Sequence, residues 1–288
     1  MVSEHEDRVT KGRILSPPAG PLALAPRATY RTEHVPTHDG GTHTRFPLRE
    51  ELVVEPLSSA VIADHLLLTG IGLWPRSRAL GSNWTRLPER AANRGEVAIS
   101  IDDGPDPDIT PQVLTILAAH HARATFFCIG ERVARFPQLA HECVAQGHAV
   151  ENHSDRHRYV FPLLGLRALR NDVQRAQQTI EGACGVAPRF FRAPAGLRNP
   201  LLDPVLQRLG LQLASWTRRG FDTVERDGSV VLARLMSKLR AGDILLLHDG
   251  HAARTSSGTP VVLEVLPSLL EAIEQRGLRT VTLREALA

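Results

Sequence analysis

The sequence contains almost no lysine and no dense run of positive charge. Lys11 and Lys238 are the only lysines among 34 basic residues, and 31 acidic residues are interspersed with the arginines. The net charge of +3 therefore comes from a mixed surface and not from a basic patch. Nucleic acid is not an expected partner, because a nucleic-acid site requires clustered basic side chains.

Cysteine is also scarce, with only Cys128, Cys143 and Cys184 in 288 residues. Their odd number and wide spacing predict no disulfide framework. Cys128 lies in the apolar run ATFFCIG, so we expect these thiols to pack in the core. Apolar residues make up 42% of the chain and charged residues 23%, which is typical of a soluble globular protein and excludes a disordered chain.

No secretory signal is expected, because the opening MVSEHEDRVTKGR is charged and has no apolar core. The longest apolar stretch, residues 57–74, carries Asp64 and His65 in its middle. A membrane-spanning helix needs about 20 mostly apolar residues, so we expect a buried or surface-associated helix here. Cytoplasmic and membrane-associated locations both stay open, and we expect a monomer.

The pattern changes near residue 95, which predicts two regions. Residues 1–94 are expected to form a largely irregular extension with one apolar helix near 57–74, because scattered prolines precede that helix without apolar periodicity. In residues 95–288, short apolar runs alternate with helical segments, which predicts an α/β fold with a parallel sheet. The predicted strands are residues 97–101, 124–130, 148–150, 189–191, 211–216, 243–247 and 279–283.

Helix signals lie between these runs. Thr110 and Asp203 each precede a proline, which favours a helix start, and Gly147 follows a helix predicted over residues 131–146. An open doubly wound sheet and a closed barrel both fit this alternation. Polar clusters follow five predicted strands, and α/β barrels gather side chains from several strand ends at one face. We therefore predict a distorted (β/α) barrel with about seven parallel strands.

The first two clusters are DDGP at 102–105 and HSDRH at 153–157. Asp102 and Asp103 repel each other, which a nearby cation would relieve, although these residues also favour a simple turn. His153 and His157 have the i, i+4 spacing that would let both bind one metal from a helical turn, with two solvated histidines as the alternative.

The remaining clusters are RAPAG at 192–196, Asp222 after Trp216, and HDG at 248–250. Arg192 is either a salt-bridged loop residue or part of a site. His248 follows four apolar residues, so it is either a core histidine or a proton donor near neutral pH.

Together and in this order, the clusters resemble the motifs of the polysaccharide deacetylases, the NodB-homology group of carbohydrate esterase family 4. SIDDGP (100–105), HSDRH, RAPAG, Asp222 after Trp216, and Leu246-Leu247-His248 are similar to that family's five motifs. The resemblance covers residues 95–288. Three departures concern packing and the sugar groove: Ile101, Ala195 and Thr223 stand where many members carry an aromatic residue.

The resemblance implies a metal-dependent hydrolase that removes N-acetyl groups from an amino-sugar oligo- or polysaccharide and releases acetate. Asp103, His153 and His157 would hold one divalent metal, expected to be zinc, with cobalt and nickel as alternatives. The metal would lower the pKa of a bound water to about 7. Asp102 would then act as the general base.

The resemblance also implies roles for the other clusters. His248 would protonate the leaving amine, and Arg192 would orient Asp102, with Asp222 holding Arg192 in turn. The backbone N–H of Ala195, beside Pro194, would stabilise the oxyanion. Two alternatives stay open: a related barrel amidase acting on a small non-sugar amide, and an inactive glycan-binding barrel.

Overall fold

A computed structural model of the chain describes residues 33–36, 42–45 and 57–288. The chain divides into two compact units, Met1–Glu55 and Pro56–Ala288. In the first unit, strands β1 (Glu33–Pro36) and β2 (Thr42–Arg45) pair as an antiparallel hairpin. The sequence does not predict this hairpin, because neither strand alternates apolar and polar residues. The rest of the predicted extension before residue 57 lies outside the described residues.

The second unit begins with helix α1 (Leu57–Gly72), which lies within the predicted apolar helix. Leu66 and Leu67 on this helix are well exposed. A short helix α2 (Glu89–Asn93) follows a connecting segment. Among the helices of the described ranges, none is long and apolar enough to span a membrane.

One curled parallel sheet forms the centre of residues 57–288, in the order β7-β6-β5-β4-β3-β9-β8, and β10 pairs with the beginning of β3. The strands are β3 (Glu96–Asp102), β4 (Ala124–Cys128), β5 (Ala149–Asn152), β6 (Phe190–Phe191), β7 (Gln212–Leu213), β8 (Arg218–Arg219), β9 (Ile244–His248) and β10 (Arg279–Thr280). The helices after α2 are α3 (Thr110–Ala119), α4 (Gly130–Arg135), α5 (Pro137–Ala145), α6 (Leu166–Cys184), α7 (Leu202–Arg208), α8 (Gly228–Met236) and α9 (Val261–Gln275).

The predicted α/β barrel-like fold is confirmed, and each of the seven predicted runs contains a strand. All seven residues of β3 and all five of β4 and β9 are buried, as expected for strands of a parallel sheet covered on both faces. The sequence does not predict strand β8, because its two residues are arginines and form no apolar run. The three cysteines are buried and free, which confirms the expected core packing.

The single helix predicted over residues 131–146 is wrong, because the chain breaks between α4 and α5. Phe136 adopts φ −131° and ψ 55°, and Pro137 begins the second helix. Proline lacks an amide donor and disfavours helical geometry in the residue before it, so it separates the two helices.

A segment that precedes β3 also packs against the sheet. The N–H of Trp84 donates to the carbonyl of Leu213, and the carbonyl of Trp84 accepts from the N–H of Ser215, both at 2.9 Å. The N–H of Leu87 donates to the carbonyl of Gly242 at 2.9 Å. Trp84 therefore forms an isolated parallel bridge just after β7, and Leu87 is hydrogen-bonded to the segment just before β9. The boundary drawn between residues 94 and 95 stays a prediction.

Candidate active site

The carboxyl ends of the parallel strands meet at one edge of the sheet, and the predicted clusters lie there. Asp102 ends β3 and stands in register with His248, which ends β9. A cavity of about 950 Å³ opens at this edge. The predicted site residues that line it are Asp102, Asp103, His153, His157, Ala195 and His248. Arg192, Pro194 and Asp222 are buried beside it.

Asp103, His153 and His157 form a cluster whose ligand atoms lie within 4.8 Å of one another. Nε2 of His153 and Nε2 of His157 lie 3.3 Å and 3.2 Å from Oδ1 of Asp103. This Oδ1 is buried and has no hydrogen-bond partner in the part of the chain that the structure describes. A buried carboxylate oxygen without a partner is costly, and two imidazoles with one carboxylate suit a zinc-like cation. The predicted ligand set therefore fits a divalent metal.

The two histidines do not lie on a helical turn, and that part of the prediction is wrong. Residues 153–157 form a loop in which Ser154 has φ 67° and His157 has φ 49°. The hydroxyl of Ser154 accepts a hydrogen bond from the N–H of His157 at 2.9 Å, which stabilises the loop. Both side chains reach the same point because the loop curls back on itself, and not because they share a helix face.

Hydrogen bonds and burial prepare this cluster for a cation. Nδ1 of His153 lies 2.8 Å from the carbonyl oxygen of Arg192, so Nδ1 carries the proton and the lone pair of Nε2 faces the space beside Asp103. Burial lowers the pKa of His157 to about 4, which keeps that imidazole neutral. Burial works to raise the pKa of Asp103, but the interactions with His153 and His251 hold it well below its usual range.

Asp102 is held by Arg192, as predicted. Nη1 of Arg192 donates to Oδ1 of Asp102 at 2.6 Å and to the hydroxyl of Ser100 at 2.8 Å. Its other nitrogens donate to the carbonyl oxygens of Ala214 and Ser215, and its guanidinium lies 4.0 Å from the centre of a phenylalanine ring. This fully buried arginine fixes one oxygen of Asp102 and leaves the other toward the cavity.

Asp222 does not hold Arg192, and this expectation is corrected. Oδ1 of Asp222 lies 2.9 Å from Nδ1 of His248, and its Oδ2 accepts from the N–H of the same histidine at 2.7 Å. The donors of Arg192 are taken up by Asp102, a serine and two carbonyls, as described above. Burial works to lower the pKa of His248, but the charge of Asp222 raises it to about 9.

The RAPAG cluster forms a tight turn at the cavity wall. Pro194–Gly196 is a single 3₁₀ turn in which Ala195 has φ 53° and Gly196 has φ 75°. A Cβ on Gly196 would lie 2.6 Å from Pro75 and 2.7 Å from the Trp216 ring, so only glycine fits there. The turn exposes Ala195 to the cavity, while Pro194 is buried.

His251 belongs to the site but escapes prediction. It lines the cavity, and its Nδ1 lies 3.0 Å from Oδ2 of Asp103. The available signal was a second histidine three residues after His248, in the sequence HDGH. Spacing alone does not reveal it, because the loop after β9 must fold back toward β3 to bring His251 to Asp103.

The cavity is open to solvent, and charged, polar and apolar side chains all line it. Tyr159 and Val224 line the cavity and are largely exposed, and Thr223 lines it as well. The small Ala195 and Thr223 are therefore both part of the cavity wall.

Comparisons with known proteins agree with this arrangement. The family model "Polysaccharide deacetylase" matches residues 89–214. A peptidoglycan-N-acetylglucosamine deacetylase of Bacillus cereus is 34% identical over 197 residues, which cover 68% of this chain and 89% of the relative. A chitooligosaccharide deacetylase of Azorhizobium caulinodans is 32% identical over 192 residues, 64% of this chain and 91% of that protein.

A solved structure shows the same fold. The family 4 carbohydrate esterase of Streptomyces lividans, in complex with acetate, superposes with a TM-score of 0.59 at 30% identity. The match covers 65% of this chain and 91% of that one. Sequence, fold and the cluster at the strand ends therefore agree, and the chain belongs to the polysaccharide deacetylase family of carbohydrate esterases.

Proposed function

We propose that this protein is a metal-dependent hydrolase that removes N-acetyl groups from an oligo- or polysaccharide containing N-acetylglucosamine. The observation that carries the proposal is that three groups of side chains meet at one cavity. These are the Asp103–His153–His157 cluster, the Asp102–Arg192 pair and the Asp222–His248 pair. The overall reaction consumes one water and yields acetate and a free amino group.

Asp103, His153 and His157 are proposed to hold the metal, with zinc favoured by the donor set. The unpartnered Oδ1 of Asp103 supports this assignment, because a cation would satisfy it. When bound there, a divalent cation supplies a Lewis acid that lowers the pKa of water and polarises a carbonyl oxygen.

Asp102 is proposed as the general base that accepts a proton from the attacking water. Arg192 donates a hydrogen bond to Oδ1 of Asp102, and Oδ2 of Asp102 lies 3.8 Å from Nε2 of His153. The free oxygen of Asp102 is thus beside the proposed metal site without belonging to its ligand cluster. The hydrogen bond from Arg192 holds this carboxylate in place, and a base in this position can accept a proton from the attacking water.

His248 is proposed as the general acid that protonates the leaving nitrogen. Asp222 bonds to Nδ1, which fixes that nitrogen as protonated and directs Nε2 to the cavity. The pKa of His248 is raised to about 9 by Asp222 against the effect of burial, so the imidazolium is available to donate at neutral pH. Nε2 gives up its proton as the carbon–nitrogen bond of the acetamide breaks.

The turn at Ala195 is proposed to stabilise the negative charge that develops on the acetamide oxygen. Its left-handed φ of 53° turns the backbone at the cavity wall, and a backbone N–H directed at an oxyanion contributes roughly 3–4 kcal/mol. Pro194 and Gly196 restrict this turn on either side.

The test is acetate release by the purified full chain from N-acetylglucosamine oligomers of two to six units. The assay is run with added zinc and again with a chelator. Zinc-dependent acetate is the expected result, and the preferred oligomer length then narrows the substrate. Folded, zinc-loaded protein that releases no acetate from these oligomers or from peptidoglycan fragments contradicts the proposal. Hydrolysis of simple cyclic amides instead would indicate the barrel amidase, and glycan binding without acetate the inactive barrel.

A further inference from the structure

We infer that His251 is a positioning residue that fixes the carboxylate of Asp103 so that one oxygen faces the metal site. This inference rests on the proposed function only through the metal site. It does not depend on the identity of the substrate, so it can be tested without one.

The two oxygens of Asp103 face different partners. Oδ2 lies 3.0 Å from Nδ1 of His251, which is hydrogen-bond distance. Oδ1 faces Nε2 of His153 and of His157, at 3.3 Å and 3.2 Å. Because an ionised carboxylate only accepts, His251 must present a protonated Nδ1 to Oδ2. That hydrogen bond restrains rotation of the carboxylate and leaves Oδ1 as the free ligand atom.

The loop after β9 is shaped to bring His251 to this point. The N–H of Asp249 donates to the carbonyl of Asp102 at 3.2 Å, which ties the loop to the end of β3. A Cβ on Gly250 would lie 2.2 Å from the carbonyl oxygen of Asp103, so only glycine allows the two backbones to approach so closely. His251 follows directly and turns its ring toward the side chain of Asp103.

The same loop also supports the other side of Asp103. The carboxylate of Asp249 is fully buried and accepts a hydrogen bond from the hydroxyl of Thr110. A Cβ on Gly104 would lie 2.6 Å from this carboxylate, so Asp249 packs directly against the DDGP segment. Residues 249–251 therefore contact three consecutive residues, Asp102, Asp103 and Gly104.

His251 is not itself part of the ligand cluster. The three ligand atoms that lie together belong to Asp103, His153 and His157. The ring of His251 is 6.2 Å from that of His157, and its side chain is 56% exposed. A hydrogen bond to a metal-ligating carboxylate is typically worth 10- to 100-fold in metal affinity. We expect His251 to contribute an effect of this size.

The test compares His251→Leu with His251→Asn. The two replacements have nearly the same size and shape, but only asparagine retains an N–H donor near the position of Nδ1. His141→Leu is the matched control, since His141 is exposed on α5. Zinc affinity of each full-length variant is measured by competition with a chelator, and metal-free thermal unfolding is recorded alongside.

We expect His251→Leu to weaken zinc binding about 10- to 100-fold, and His251→Asn to stay within about threefold of wild type if it restores the donor. With Co²⁺ as the probe, the visible spectrum of His251→Leu should change, because a released carboxylate alters the coordination geometry. The spectra of His251→Asn and His141→Leu should match the wild type.

Two results would overturn the inference. One is wild-type zinc affinity and an unchanged cobalt spectrum in His251→Leu. The other is an equal loss in His251→Leu and His251→Asn, which would mean that the hydrogen bond is not what His251 supplies. Failure of the proposed deacetylation would look different, because zinc binding would then respond to His251 as expected while acetate release stayed absent.

Discussion

Both carboxylate oxygens of Asp222 form hydrogen bonds with one residue, His248. One accepts from the backbone N–H at 2.7 Å, and the other lies 2.9 Å from Nδ1 of the ring. The ring is therefore fixed in position and in tautomer by one buried side chain. The charge of Asp222 also raises the pKa of this histidine to about 9, although burial works in the opposite direction.

The pH dependence of the reaction follows from this pair. A general acid must be protonated, so His248 is active below its pKa and inactive above it. We expect kcat/KM to fall as the pH rises through about 9, and not near the usual histidine value of 6.5. The measurement is kcat/KM from pH 6 to 11 with zinc held saturating.

Asp222→Asn should move this alkaline limb to lower pH. The amide keeps the size of the side chain but loses the charge that raises the pKa of His248. The control is Asp227→Asn, since Asp227 caps α8 and lies outside the residues that line the cavity. An alkaline limb that stays in place in Asp222→Asn would mean that another group sets it.

Asp102→Asn should reduce turnover by at least about 100-fold while leaving the metal bound, because the amide cannot accept the proton of the attacking water. Its carbonyl oxygen can still accept from Arg192, which limits disruption of the buried pair. Metal content and kcat are measured on the same preparation. Substantial activity in Asp102→Asn would remove this residue from the role of base.

His153→Ala and His157→Ala should each lose the metal, since each removes one of three ligand atoms. We expect metal content after dialysis to fall from about one per chain toward zero, measured by elemental analysis. His121→Ala is a suitable control, because His121 lies after α3 and away from the cavity residues. Full metal content in either variant would show that the ligand set is different.

Leu269→Ala should destabilise the fold by about 2–5 kcal/mol, because it empties a fully buried position on α9. Leu163→Ala makes the same chemical change at a side chain that is 81% exposed, and it should stay within about 0.5 kcal/mol of wild type. The free energy of unfolding is measured by urea denaturation of both. Similar losses in the two variants would contradict the assigned core.

The strand ends could be predicted from sequence because the apolar runs are short and each stops at polar residues. β3 and β9 are fully buried, and their apolar runs predict buried strands. The placement of Asp102 and His248 at the ends of these strands follows from that prediction. The meeting of Asp103, His153 and His157 is predictable for the same reason, because parallel strands bring their carboxyl ends to one edge.

The conformations of the loops in the site, and the hydrogen-bond partners of its charged side chains, could not be predicted. His153 and His157 meet through residues with positive φ, which spacing along the chain does not reveal. The partner of Asp222 depends on how its loop approaches the end of β9, and both His248 and Arg192 are plausible partners by charge alone. His251 approaches Asp103 only because Gly250 permits the two backbones to touch.

The hydrogen bonds of Trp84 have a practical consequence for shortened versions of this protein. A chain that started at residue 95 would leave the carbonyl of Leu213 and the N–H of Ser215 without their partner. It would also uncover Phe190, whose ring packs edge-on against Trp84 at 5.1 Å. Such a fragment would present an open strand edge beside an apolar ring, the combination that drives strands of separate molecules to pair and precipitate.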